Sequence, residues 1–325
     1  MYGEALTMLK AVYAPGCERI FEDRILLAAF HDIDGTHSLI RNWPPVMSVV
    51  LWNVIQNGLP EDFDSEENGR ILIEKAGTEP LFETDAFCVE SAGLSALTQM
   101  EWAIRRAVEE GSVRVHCDAA VNSQKTKLIY DGIERFDELS ETPEMETLLR
   151  EYTPRLFKLY ERVLNGFCRD KNLTLARRNP ERFRVKGSLR FLSCLHEAGV
   201  KNYFVTGAVV EKGMGMFEEV EVLGYPIGPG KMVEDIIGST WDQKLPKDEI
   251  MLSLAQRLGI CGESILVTGD GRSEIAAGIR LGALTVSRLN ADAHRQRELH
   301  RKIGTHMIIE DFDSPLIDKV FAFRK

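Results

Sequence analysis

The sequence has no pair of cysteines at CxxC spacing, no internal repeat and no low-complexity linker. It also has no stretch approaching the roughly 18 consecutive apolar residues of a membrane span. Its six cysteines, Cys17, Cys88, Cys117, Cys168, Cys194 and Cys261, are scattered singly. In a chain this long that reads as reduced, mostly buried thiols. Surplus positive charge is missing too: 40 Lys and Arg stand against 50 Asp and Glu, a net charge of −10. This balance argues against non-specific binding to nucleic acid or a membrane surface, so neither is expected as a partner. An anionic substrate stays open, because a bound metal ion reverses the local field. Residues 1–14 carry Glu4 and Lys10 within their apolar stretches. They lack a basic segment followed by an unbroken apolar run, so no signal peptide is expected and the cytoplasm is the expected compartment.

What is present is a globular composition, 44% hydrophobic over 325 residues, enough for one large domain or two smaller ones. Residues 24–31 (RILLAAFH) form a short, continuous apolar run, the pattern of a fully buried strand. From Pro44 the pattern turns helical. PPVMSVVLWNVIQNG opens with prolines and stops at Gly58, and further helices are expected over 65–76, 89–110 and 143–168. After about residue 184 strands and helices alternate. Strands are expected at 202–206, 264–268, 284–287 and 306–309, and helices at 186–199, 208–222, 247–258, 272–281 and 291–302. Such alternation implies a parallel sheet with right-handed crossovers. The expectation is therefore an α/β, Rossmann-like parallel-sheet core made of residues 1–40 and 184–325. A large, mainly helical block, residues 41–183, is inserted after the first core strand.

Three chemically active groups end expected strands: Asp32 with Asp34, then Thr206, then Asp270. Ligands of open α/β sheets bind outside the carboxyl ends of the strands, so these residues converge on one edge. Two acids at DxD spacing crowd each other, and one must hold a proton or a cation must sit between them. Magnesium suits such a pair, since it prefers one or two carboxylates, water and phosphate oxygens. Each piece alone also has a plainer account. DxDG serves as a strand-end turn, and Thr206-Gly207 after a strand is common. Asp270 and Glu274 suit the first turn of a helix. Lys244 and Lys247 lie just before and at the start of helix 247–258, and a lysine there is ordinarily solvated surface.

As a set, these segments resemble the haloacid dehalogenase (HAD) superfamily. FHDIDGTHSLI resembles its DxDGT motif, YFVTG the strand ending in Thr or Ser, a lysine opening a helix the third motif, and VTGDGRSEI the GDxxxD/E motif. The four occur in the family order over residues 24–40 and about 184–325. His31 departs from the hydrophobic residue usual at its position. The 41–183 block falls where the family places a helical cap of the C1 type. The resemblance implies that Asp32 is the nucleophile that becomes an aspartyl-phosphate. It makes Asp34 the general acid and base, and has Thr206 and the Gly207 amide hold phosphate oxygens. Asp32, Asp34 (through its carbonyl) and Asp270 would hold Mg2+, with Glu274 orienting the site from behind. Lys247, preferred over Lys244 for its helix-opening position, would bridge Asp32 and phosphate.

Within the superfamily, the DGTHSLIRNWPPVM run and the GDGRSEI ending resemble phosphoglycolate-phosphatase-like members. This places Arg41, with Asn42 and Trp43, at the start of the cap, either as a contact to the leaving group or as a hinge residue. The expected activity is hydrolysis of a small phosphorylated metabolite. The alternatives are a phosphomutase on the same scaffold and a catalytically weak binding or regulatory protein. A dehalogenase is disfavoured by the second aspartate of DxD. The sequence does not identify the substrate or the oligomeric state.

Overall fold

The computed structural model describes residues 9–136, 138–213, 215–241 and 245–323, which fall into two compact units. One comprises the described residues up to Ile40, Leu175–Thr240 and those from Leu245 on; the other is Arg41–Thr174 with Trp241.

The first unit is built on short apolar strands: β1 (Leu9–Ala11), β2 (Arg24–Leu26), β3 (Ala28–His31), β4 (Lys201–Val209), β5 (Asp235–Ser239), β6 (Ile265–Gly269), β7 (Leu284–Arg288) and β8 (Met307–Ile309). Six of them form one sheet in the order β5-β4-β3-β6-β7-β8, and every neighbouring pair is parallel. Parallel neighbours cannot be joined by a tight turn, so each connection carries a helix. These are Ser188–Glu197, Gly215–Val222, Lys247–Leu258, Arg272–Leu281 and His294–Ile303. The last three stop at Gly259, Gly282 and Gly304, all in the left-handed conformation that closes a helix without a Cβ penalty.

Strand periodicity divides the buried side chains between two faces. Ala29, Leu266, Leu284 and Val286 pack with Phe191, Phe312 and Phe321 on one side. Ala28, Phe30, Val205, Ile265 and Val267 pack with Ile250, Met251 and Leu254 on the other. Register sets which strand ends meet: His31 lies beside Phe204 on β4 and Thr268 on β6. The residues that follow β3 and β6 therefore emerge together at the carboxyl edge of the sheet, in its interior rather than at its margin.

The second unit is helical: Pro44–Asn57, Glu66–Lys75, Phe82–Glu90, Ala96–Glu110, Ala119–Tyr130 and Pro143–Leu164. Ser65, Asp118 and Thr142 cap their helices with side-chain oxygens. Phe87 stacks on Trp102 at 3.7 Å in its core. Buried Arg105 and Lys125 share Glu141, and Arg105 also pairs with Glu101. Among the described residues no helix is long and apolar enough to cross a membrane.

The alternating pattern after residue 184 does form the parallel α/β sheet expected from it, with local departures. The 24–31 run is two strands, because Arg24–Leu26 pairs antiparallel with Leu9–Ala11 before the chain bends at exposed Leu27 into β3. A continuous apolar run carries no mark of where its pairing partner changes. Strand β4 extends to Val209, so the following helix begins at Gly215 rather than near 208. Strand β5 is a short edge strand, DIIGS, whose Asp, Gly and Ser hide it from propensity. The helix expected at 89–110 is broken around Gly93, which takes φ 89°.

Phe191 is fully buried and stacks on Phe312 at 4.8 Å. Phe191→Ala is expected to lower unfolding stability by about 3–5 kcal/mol. A chemical-denaturation midpoint checks this, and an unchanged midpoint would contradict the packing described.

Candidate active site

The site starts from one backbone hydrogen bond. Asp32 N–H donates to Thr268 O at 2.9 Å, continuing the β3–β6 pairing one residue past the strand. The chain then folds on itself: Ile33 O accepts the N–H groups of Thr36, His37 and Ser38 at 3.2, 2.9 and 2.9 Å. Gly35 makes this turn possible. It sits at φ 74°, and a Cβ there would lie 1.9 Å from Asp270 Oδ2. Glycine is thus required both for the backbone conformation and for the approach of the carboxylate.

Lys247 enters from the first position of its helix, which follows Pro246. Its ammonium is buried and lies 2.5 Å from Asp32 Oδ1 and 3.2 Å from Glu274 Oε2. Glu274 is held in turn by Gly271 N–H at 2.6 Å and the Ser273 hydroxyl at 3.0 Å. The Thr36 hydroxyl faces Asp32 Oδ2 at 3.4 Å and Asp270 Oδ1 at 3.5 Å. Arg288, at the end of β7, donates to Gly35 O at 3.1 Å.

Burial raises the Asp32 carboxyl to about 6; Lys247 opposes the rise and Glu274 adds to it. Asp270 is pushed well above the usual carboxylate range by burial, then by the charges of Asp32 and Glu274. For Lys247 burial acts downwards, but the Asp32 and Glu274 carboxylates outweigh it and hold the ammonium above its ordinary value. The site thus crowds more negative charge than one lysine relieves.

One oxygen from each of Asp32, Asp270 and Glu274 lies within 4.8 Å of the others, a spacing that can hold a metal ion. The donors are hard carboxylate oxygens, suited to Mg2+. Both Glu274 oxygens are already engaged, one by Gly271 N–H and the other by Lys247 and Ser273. Asp32 Oδ2 and Asp270 Oδ1 meet only the distant Thr36 hydroxyl, so they are the less engaged donors of the three acids, while Glu274 contacts Lys247.

Of the residues singled out in the sequence, the structure brings Asp32, Lys247, Asp270 and Glu274 into one cluster. Asp34 lies in the adjoining turn, in a bridge with Ser38. Thr206 and Gly207 lie in β4, two and three residues beyond the one beside His31, and Thr206 Oγ1 accepts Ala208 N–H at 3.1 Å. Arg41 belongs to the helical unit, where its guanidinium pairs with Glu161 at 2.9 Å. Lys244 lies outside the described residues. Sequence reasoning missed Thr36, Ser273 and Arg288. Arg288 was within reach of the strand-end rule, but the apolar pattern alone ends its strand at Ser287.

No family model matches the sequence, and no curated protein matches it. Several solved structures are similar. One is a provisionally assigned phosphoglycolate phosphatase from Lactobacillus delbrueckii subsp. bulgaricus, 14% identical over 90% of this chain and 98% of that one, with a TM-score of 0.48. Another is a β-phosphoglucomutase from Clostridium difficile, 12% identical over 90% and 93%, TM-score 0.46. A third is a provisionally assigned haloacid dehalogenase-like hydrolase from Bacteroides fragilis, 13% identical over 88% and 97%, TM-score 0.45. At such identities and TM-scores the chemistry has to be argued from the site itself.

The raised Asp270 pKa has a stability consequence. A carboxyl whose folded pKa exceeds its unfolded value contributes stability at low pH, which is lost as pH rises through the folded pKa. Asp270→Asn is therefore expected to raise Tm at pH 8 in divalent-free buffer by roughly 2–4 °C, with the gain shrinking towards pH 4. Calorimetry across that range checks it; a lower Tm at pH 8 would remove the argument from charge crowding.

Proposed function

We propose that this chain is a Mg2+-dependent phosphatase of the haloacid dehalogenase type, hydrolysing a small phosphate monoester through a covalent aspartyl-phosphate at Asp32. The observation that carries the reading is the buried contact of 2.5 Å between Lys247 and Asp32 inside a cluster of carboxylates at the sheet edge. Three separate segments of the chain supply that cluster, which a strand-end turn or a helix cap does not require.

In the proposed reaction an Asp32 oxygen attacks phosphorus while the bond from phosphorus to the ester oxygen breaks. Asp34 gives its proton to the departing alcohol. It then takes a proton from water, whose oxygen attacks the same phosphorus and expels the Asp32 carboxylate. Ester and water become alcohol and inorganic phosphate, and both aspartates return to their starting states. Lys247 keeps Asp32 ionised and offsets charge on the phosphoryl oxygens. Thr206 and the Gly207 amide bind those oxygens. Mg2+, held by Asp32, Asp270 and the Asp34 carbonyl, would supply the remaining charge neutralisation. Substrate choice is assigned to the helical insertion; Arg41, its charge already met by Glu161, is the weakest member of the assigned set.

A panel of sugar, nucleotide and short-acid monophosphates, read by phosphate release, tests this. Asp32→Asn is expected to cut turnover by at least ~10³-fold while leaving the fold intact; undiminished turnover would sink the nucleophile assignment. Excess EDTA is expected to abolish activity, and full activity in EDTA would exclude the metal. Transfer of the phosphoryl group to a second sugar hydroxyl, without phosphate release, would make the enzyme a mutase.

A further inference from the structure

Beneath the carboxylates lies a buried polar network that the proposed reaction does not use. His31, His37, Asn202, Thr268, Ser188 and Tyr225 are each at most 2% exposed. They lie on the sheet face otherwise filled by Phe191 and Phe312. Leaving polar groups unpaired there is costly, and a fully paired set fixes one geometry.

The pairing has one consistent direction. Asn202 Nδ2 donates to Leu192 O at 3.1 Å and Met232 O at 2.9 Å, so its Oδ1 accepts. His31 Nε2–H therefore donates to Asn202 Oδ1 at 3.1 Å. A neutral ring then leaves Nδ1 as an acceptor, and the Thr268 hydroxyl donates to it at 2.8 Å. His37 Nε2 lies 3.3 Å from that nitrogen and 3.5 Å from Thr268 Oγ1; facing an acceptor nitrogen, it carries the hydrogen and shares it between the two. This leaves His37 Nδ1 to accept from the Ser188 hydroxyl at 2.6 Å. The Tyr225 hydroxyl closes the chain, 2.5 Å from Ser188 Oγ and 3.1 Å from His37 O. Burial lowers His37 well below its ordinary range, in keeping with a neutral ring.

We propose that His31, His37 and Thr268 are positioning residues whose directed hydrogen bonds lock the end of β3 to the end of β6 and so set the separation of the Asp32 and Asp270 carboxylates. His31 precedes Asp32 directly, and Thr268 lies two residues before Asp270. The Thr268 carbonyl also receives Asp32 N–H, so Thr268 joins its strand end to that of β3 through both backbone and side chain. His37 ties the far end of the Asp34–Gly35 turn to the helix that begins at Ser188. The inference rests on the phosphatase reading only in taking Asp32 and Asp270 as the pair that must be held in register.

The test compares Thr268→Val, which keeps shape and loses the hydroxyl, with Thr268→Ser, which keeps the hydroxyl. Mg2+ binding by calorimetry is measured beside kcat, KM and Tm. Thr268→Val is expected to weaken Mg2+ binding and lower kcat by ~10-fold each, with KM within about twofold, and Thr268→Ser to recover most of both losses. A lower Tm with Mg2+ affinity and kcat unchanged would overturn the proposal and leave the network as packing alone. If Thr268→Val does not fold, the same readouts on His31→Asn and His37→Gln decide the matter. Wild-type protein that binds Mg2+ but releases no phosphate from any monoester counts against the phosphatase reading. The Mg2+ affinities of the variants still test the network in that case.

Discussion

The site depends on how a buried carboxylate stays charged. Asp32 is removed from water, and two further acids lie beside it. Left alone, that arrangement would protonate. Lys247 opposes this from one side at 2.5 Å, reaching across 215 positions of sequence. A single ammonium does not balance the group, and the residual negative charge is what makes the carboxylate cluster able to hold a hard cation. The elements around it exist to keep these charges close: a central strand carrying Asp32, a neighbouring strand carrying Asp270, and two helices whose first turns supply Lys247 and Glu274.

Close approach constrains the backbone as strictly as charge constrains the side chains. At Gly35 the turn passes so near Asp270 that no Cβ fits. Gly269 is similarly pressed, since a Cβ there would come within 2.2 Å of Glu274 Cγ. The longer acid at 274 and the glycine at 269 are thus a matched pair. Arg288 fastens the Gly35 carbonyl from β7, so three adjacent strands of the sheet, β3, β6 and β7, fix one turn. Below them the histidine network replaces apolar packing with hydrogen bonds, which hold atoms to directions as well as to distances.

Parts of this were legible because local signals agreed with the tertiary outcome. Helices Lys247–Leu258 and Arg272–Leu281 end at the glycines that stop them, and Asp32 and Asp270 directly follow the apolar strands β3 and β6, although Thr206 lies inside β4 rather than at its end. Other parts were not. Strand β5 carries little β-propensity, and what makes it a strand is the exposed edge of β4 beside it. The break at Leu27 depends on which partner each half of the run meets. His31 read as an unexplained departure in an apolar strand, because its partners, Asn202 and Thr268, are 171 and 237 residues away.

The sequence by itself determined the alternation of strand and helix, hence the parallel α/β sheet. It also determined the residue types that reach the sheet's carboxyl edge, because hydrophobic period and strand-end position are local properties. Only the tertiary structure decided that Lys247 meets Asp32, that Glu274 shares that lysine, and that two buried histidines are hydrogen-bonded beside the strand ends. Those outcomes are distances between residues remote in the chain. They are set by strand order and register, which no local pattern encodes.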